Sequence, residues 1–101
     1  MAQDKVTVVA VIKAKSGRED QVRRELEALI APTREEEGCI NYDMHRGSED
    51  PSLFMFHENW RSKGDLDIHL QQPYLARFME LADDLLAEPV RITLWEEISS
   101  R

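Results

Sequence analysis

The chain has 101 residues, enough for one domain with a real core but with much of its surface left wet. Hydrophobic residues make up 42% and charged residues 33%, the balance of a globular domain. With 20 acidic and 13 basic side chains the net charge is −7, and no basic stripe is visible, which excludes nucleic acid and an anionic membrane surface as partners.

A single cysteine, Cys39, cannot form an internal disulfide, and no Cys/His spacing resembles a zinc site. It reads as a buried, inert thiol, and no metal site is expected. No apolar run approaches the ~18 residues of a membrane span. The opening Met-Ala-Gln-Asp-Lys has no signal-peptide core. The sequence therefore reads as cytoplasmic, without membrane insertion.

Val6–Lys13 (VTVVAVIK) is β-branched and almost uniformly apolar, which predicts a strand covered on both faces. Ser16-Gly17-Arg18-Glu19 then fits a capping box opening a helix. Val22, Leu26, Leu29 and Ile30 follow at helical spacing. Pro32 predicts a kink or a 3₁₀ turn, followed by a short helical piece at 33–37 that Gly38 stops as a C′ glycine. Cys39–Arg46 alternates, with Ile40, Tyr42 and Met44 on one face and Asn41, Asp43 and His45 on the other.

The polar turn 47–51 makes Leu53–Trp60 the antiparallel partner of that strand. Phe54, Phe56, Glu58 and Trp60 share one of its faces. Ser62 predicts the cap of a short helix over 63–71, with Leu66, His69 and Leu70 on one side. Pro73 suits the first turn of a second helix striped by Tyr74, Phe78, Leu81 and Leu85. A last strand is predicted over 90–98. There Val90, Ile92 and Leu94 oppose Arg91, Thr93 and Trp95.

The order β-α-β-β-α-(α)-β predicts an α+β fold, a ferredoxin-like sandwich over residues 6–95, with flexible termini at 1–5 and 99–101. Helices can cover only one face of such a sheet. The two-faced first strand and the exposed setting of Trp95 then predict a second subunit over the other face, most simply as a homodimer.

Glu58 is the most informative residue, a carboxylate mid-strand between Phe56 and Trp60. Burial would raise its pKa unless a donor pairs with it, and His69 is the candidate partner. One reading is a Glu58–His69 pair beside an aromatic cavity, the carboxylate orienting an imidazole that exchanges protons with a bound hydroxyl. The other is a buried polar pair that only ties helix to sheet. Taken one by one, Trp60, Tyr42, Phe56, Met44, Tyr74 and Phe78 read mostly as core; taken as a set they can also wall a flat apolar cavity for an aromatic ligand. His45 and His57 read as surface or subunit-contact residues rather than metal ligands.

Glu58-x-Trp60, the run Leu66-Asp67-Ile68-His69-Leu70-Gln71-Gln72-Pro73 and the later Phe78 together resemble the antibiotic biosynthesis monooxygenase (ABM) domain family. Glu36-Glu37-Gly38-Cys39-Ile40-Asn41-Tyr42 is similar to that family's Glu-Gly-Cys-x-x-Tyr entry to its second strand, and Pro32-Thr33 to a Pro-Thr before it. Within the family the chain resembles the bacterial quinol monooxygenases. The resemblance implies a dimeric α+β barrel. It also implies oxidation of a quinol or related hydroxyaromatic by O₂ with no cofactor, the substrate supplying its own electrons. In that chemistry His69 would accept the proton, Glu58 would orient it, and the aromatics would wall the pocket. The alternative is a non-catalytic small-molecule-binding or stress-response barrel.

Overall fold

The computed structural model describes residues 4–99; of the termini expected to be flexible, 1–3 and 100–101 lie outside the described residues. The elements run β1 (Val6–Lys13), α1 (Glu19–Glu27), α2 (Ile30–Arg34), β2 (Cys39–Arg46), β3 (Leu53–Trp60), α3 (Lys63–Leu70), α4 (Pro73–Leu85) and β4 (Arg91–Trp95). The strands form one antiparallel sheet in the order β2-β3-β1-β4. This is the ferredoxin-like α+β sandwich. No helix of the described residues is long and apolar enough to cross a membrane.

Pleating sorts the strands into two faces. Val8, Ala10 and Ile12 of β1 stand opposite Glu58, Phe56 and Phe54 of β3, and all six are buried. Val22 and Leu26 of α1, Leu66 of α3, and Phe78 and Leu85 of α4 close over them. On the other face Thr7, Val9 and Val11 are only half-buried, so β1 is fully covered on one face and not on both. Trp95 stands on that second face, 58% exposed. β4 is shorter than expected and exposed along its length.

Five local expectations are corrected. Ser16 does not cap α1. Gly17 takes a left-handed φ of 87°, Arg18 becomes the N-cap, and the Glu19 carboxylate accepts from the Gly17 N–H at 2.9 Å instead. Pro32 does not kink a continuous helix. It sits inside α2, and the break falls at residues 28–29, where the carbonyl four residues upstream would meet its ring. Ile40 does not share the face of Tyr42 and Met44. A β-bulge between Cys39 and Asn41 turns it outward to 57% exposure. Leu70, expected beside Leu66 and His69 on the inner side of α3, is 42% exposed.

Gly38 is the fifth, because its φ is not positive. Its smallness serves a close approach: a Cβ there would lie well inside van der Waals contact of Asp65 Cβ and Cγ. Asp65 cannot swing away cheaply. Arg61 grips its carboxylate at 2.8 and 3.0 Å, and Ser62, which caps α3 by accepting the Asp65 N–H at 3.2 Å, donates to it at 3.0 Å. Gly38→Ala is therefore expected to cost about 1–3 kcal/mol by overpacking. Each kcal/mol lowers Tm by roughly 4–8 °C in a domain of this size. Gly64→Ala in α3, where an added Cβ meets only Ser62 Oγ at 3.7 Å, should melt at or above wild type. Paired thermal melts check the contrast, and equal Tm values for wild type and Gly38→Ala would refute it.

Candidate functional site

A cavity of about 200 Å³ lies between the sheet and helices α1, α3 and α4. β1 supplies Val8, Ala10 and Ile12 as its floor, and Leu26, Leu66 and Phe78 form much of its roof. Tyr42 and Phe56, cross-strand neighbours on β2 and β3, stack with ring centroids 4.3 Å apart and planes 20° apart. Glu58 and His69 complete the lining at the same end as Tyr42.

The expected Glu58–His69 pair is not formed. Glu58 Oε1 instead accepts the Trp60 Nε1–H at 2.9 Å, a bond made possible because residues two apart on a strand share a face. His69 places Nδ1 2.8 Å from Glu36 Oε2. Tyr74 also donates its hydroxyl to Glu36 Oε2 and sits 3.5 Å from the Pro32 carbonyl. Among the described residues His69 Nε2 has no hydrogen-bond partner, and His69 lines the cavity. The imidazole is held on its flanks by Trp60, at 4.5 Å between ring centroids, and by the edge of Tyr42, at 5.6 Å.

The two glutamates stand in different surroundings. Glu58 is 4% exposed and has only an indole N–H as donor. Burial therefore dominates and pushes its pKa from an ordinary 4.5 up to about 7. The Trp60 bond opposes that rise and the Glu36 charge adds to it. Glu36 faces two donors on one oxygen, while its Oε1 and the nearby Thr33 Oγ1 are buried without a protein partner among the described residues. Tyr42 is driven above the usual phenol range by burial and then by the Glu58 charge, and Tyr74 by burial and then by its bond to Glu36. Burial also pushes the Cys39 thiol up to about 11, which keeps it protonated and unreactive.

Of the residues expected to form the pocket, Tyr42, Phe56 and Phe78 line the cavity. Trp60 does not: it is fully buried behind His69 and acts on the cavity through Glu58 and the imidazole. Tyr74 stays outside because its hydroxyl is drawn to Glu36. Met44 lies two residues along β2 from Tyr42 and lines a separate hollow with Ile30 and Phe54. Glu36, quoted above only as part of the segment leading into β2, is the site residue that the sequence reading does not assign. The spacing Leu29, Thr33, Glu36 held the signal: it continues an apolar face at helical intervals, and Leu29 and Thr33 are 5% and 0% exposed.

The family profile for antibiotic biosynthesis monooxygenase matches residues 5–81. This chain belongs to the antibiotic biosynthesis monooxygenase family. The crystal structure of PA3566 from Pseudomonas aeruginosa superposes with a TM-score of 0.90 at 34% identity, covering 95% of this chain and 96% of that one. Rv0793 from Mycobacterium tuberculosis, named "Putative monooxygenase Rv0793", is 33% identical over 89 residues, 88% of this chain and 87% of its own length. Its structure superposes with a TM-score of 0.88 at 28% identity, over 95% of this chain and 97% of that one. The Synechocystis protein sll1783 is 35% identical over 95 residues, 94% of this chain; the match spans 65% of that longer protein.

Because Glu58 is held above its unfolded-state pKa, the native state keeps a proton between about pH 4.5 and 7 that the unfolded chain has lost. The stabilising share of that proton is full below the window and is lost as pH rises through it. At ~1.4 kcal/mol per pKa unit the loss is of order 3 kcal/mol. Glu58→Gln keeps an acceptor for Trp60 and removes the titration. It should raise Tm at pH 8 and leave it near wild type at pH 5; a gain of equal size at both pH values would contradict the assignment.

Proposed function

We propose that this chain is a cytoplasmic, cofactor-independent monooxygenase that oxidises a quinol or related hydroxyaromatic with O₂. The observation that carries the reading is the cavity itself: a largely apolar slot whose polar lining side chains are Tyr42, Glu58 and His69. Membership of the family supports the reaction class. A stacked Tyr42–Phe56 wall suits a planar ring.

The division of roles follows from the hydrogen bonds. A donor at Nδ1 directed to Glu36 leaves Nε2 as the acceptor of His69. The substrate hydroxyl loses its proton to Nε2, and the Glu36 carboxylate steadies the imidazolium that results. Glu36, rather than Glu58, is thus the positioning residue. The aromatic anion passes one electron to O₂. Superoxide and ring radical join at a ring carbon bearing hydrogen, and a C–O bond forms. The O–O bond then breaks as the C–H proton leaves. One oxygen remains as a carbonyl and the other departs as water, carrying the hydroxyl proton and the C–H proton. The substrate supplies all the electrons, and no proton leaves the site in net terms. Glu58, whose burial raises its pKa to about 7, would in its protonated form hydrogen-bond a substrate oxygen. Exclusion of water by the apolar walls protects the radical pair.

A second reading is a non-catalytic binding barrel. It is favoured by the way Glu36, His69 and Tyr74 tie α3 and α4 to the α2–β2 segment, a role that needs no turnover. We also infer a homodimer, since the half-buried second face of the sheet and the exposed Trp95 leave apolar surface that a second copy would cover.

Oxygen uptake with a reduced naphthoquinol should exceed the autoxidation blank and fall roughly 10²-fold in His69→Ala, the scale of a lost general base. If His69→Ala lowers Tm while uptake per folded molecule is unchanged, the binding-barrel reading stands instead. Light scattering at micromolar concentration should return the mass of a dimer, and a monomeric mass removes that inference.

A further inference from the structure

The two ends of the cavity differ in kind. Resting on the aromatic-ligand reading above, we propose that the ligand sits with its oxygen-bearing edge inward and carries an apolar substituent outward. The favoured substrate is then a hydroxyaromatic with an alkyl group on the edge opposite its hydroxyl.

The closed end gathers all the polar side chains of the lining: Glu58, His69 and Tyr42. Glu58 and His69 are 4% and 2% exposed, and both touch Trp60, one by hydrogen bond and one by ring contact. They therefore stand side by side at the bottom of the slot. The open end is built by Leu70 of α3, Met79 of α4 and Ile92 of β4. These three line the same cavity yet are 42%, 48% and 43% exposed. Three apolar side chains from three elements thus form a mouth with no polar side chain of its own.

This arrangement decides orientation. A ligand entering hydroxyl-last would leave the second Glu58 oxygen and His69 Nε2 desolvated and without a partner, and would press its own hydroxyl against Leu70, Met79 and Ile92. Entering hydroxyl-first, it pairs the polar groups. A bare ring then leaves the mouth facing water, and an apolar substituent covers it, which adds affinity with each methylene removed from water.

Isothermal titration calorimetry of the full chain with naphthols, which requires no turnover, tests this. The probes are 2-naphthol, its 6-methyl, 6-propyl and 6-hexyl derivatives, and the matching 1-alkyl series with the chain beside the hydroxyl. Kd should tighten roughly two- to fourfold per methylene in the 6-alkyl series until the chain clears the mouth. The 1-alkyl series should show no such gain. Met79→Glu, on an exposed helical position, should flatten the 6-alkyl gain, with circular dichroism confirming the fold. If 2-naphthol binds but both series gain equally, or neither gains, the orientation is wrong and the monooxygenase reading survives. If 2-naphthol does not bind at all, the aromatic-ligand reading falls with it. If Met79→Glu changes the mass in solution and leaves the alkyl gain intact, the mouth is a subunit contact, and the inference is overturned.

Discussion

One carboxylate oxygen, Glu36 Oε2, holds the site together. It receives the imidazole of His69 from α3 and the hydroxyl of Tyr74 from α4, and it sits just beyond the last turn of α2. α3 has little apolar surface of its own to bury, with Leu66 and His69 its buried residues. A short helix of that kind is positioned by a polar anchor more than by burial. Without Glu36 a deeply buried imidazole would have no partner at Nδ1, and the cost of burying it would fall on the docking of α3. The same bond aims the ring. Once Nδ1 is fixed on Glu36, with Trp60 on one flank and Tyr42 on the other, Nε2 is left to the cavity.

Glu58 and Glu36 are both buried carboxyls near His69, yet their partners separate them. Glu36 meets two donors. Glu58 meets one uncharged indole N–H and is otherwise surrounded by ring and aliphatic carbon. Desolvation is therefore nearly uncompensated at Glu58, and its pKa approaches neutrality. Two chemically identical groups thus stand in different surroundings, one holding two side chains in place and one desolvated with a single neutral donor.

Much of this was legible in the chain. Alternation in Leu53–Trp60 placed Glu58 and Trp60 on one buried face, and Pro73 marked the start of α4, because both signals are local and periodic. What the chain does not reveal locally depends on longer-range or special geometry. Helical spacing puts His69 on the inner side of α3, but which carboxylate it meets depends on where the α2–β2 connection lies relative to α3, 33 residues away in sequence. The bulge that expels Ile40 leaves no mark in an alternating pattern. Ser16 satisfied the capping-box pattern, yet the left-handed turn at Gly17 moved the helix start beyond its reach. Gly38 looked like a helix stop and proved to be a contact requirement set by Asp65, a residue of another element.

The bland reading, in which Glu58 serves only to fix Trp60, runs into an energetic difficulty. A glutamine could accept the same indole N–H with no ionisable group to desolvate, and a leucine would fill the space beside Phe56 with apolar carbon. Either would avoid the penalty that a buried carboxyl carries above its pKa. A titratable group left in a place where ionisation is disfavoured, lining the same apolar slot as an imidazole, fits the proton-handling role proposed for this site better than a purely structural one. The destabilising choice at position 58 therefore argues for chemistry more strongly than any of the stabilising contacts around it.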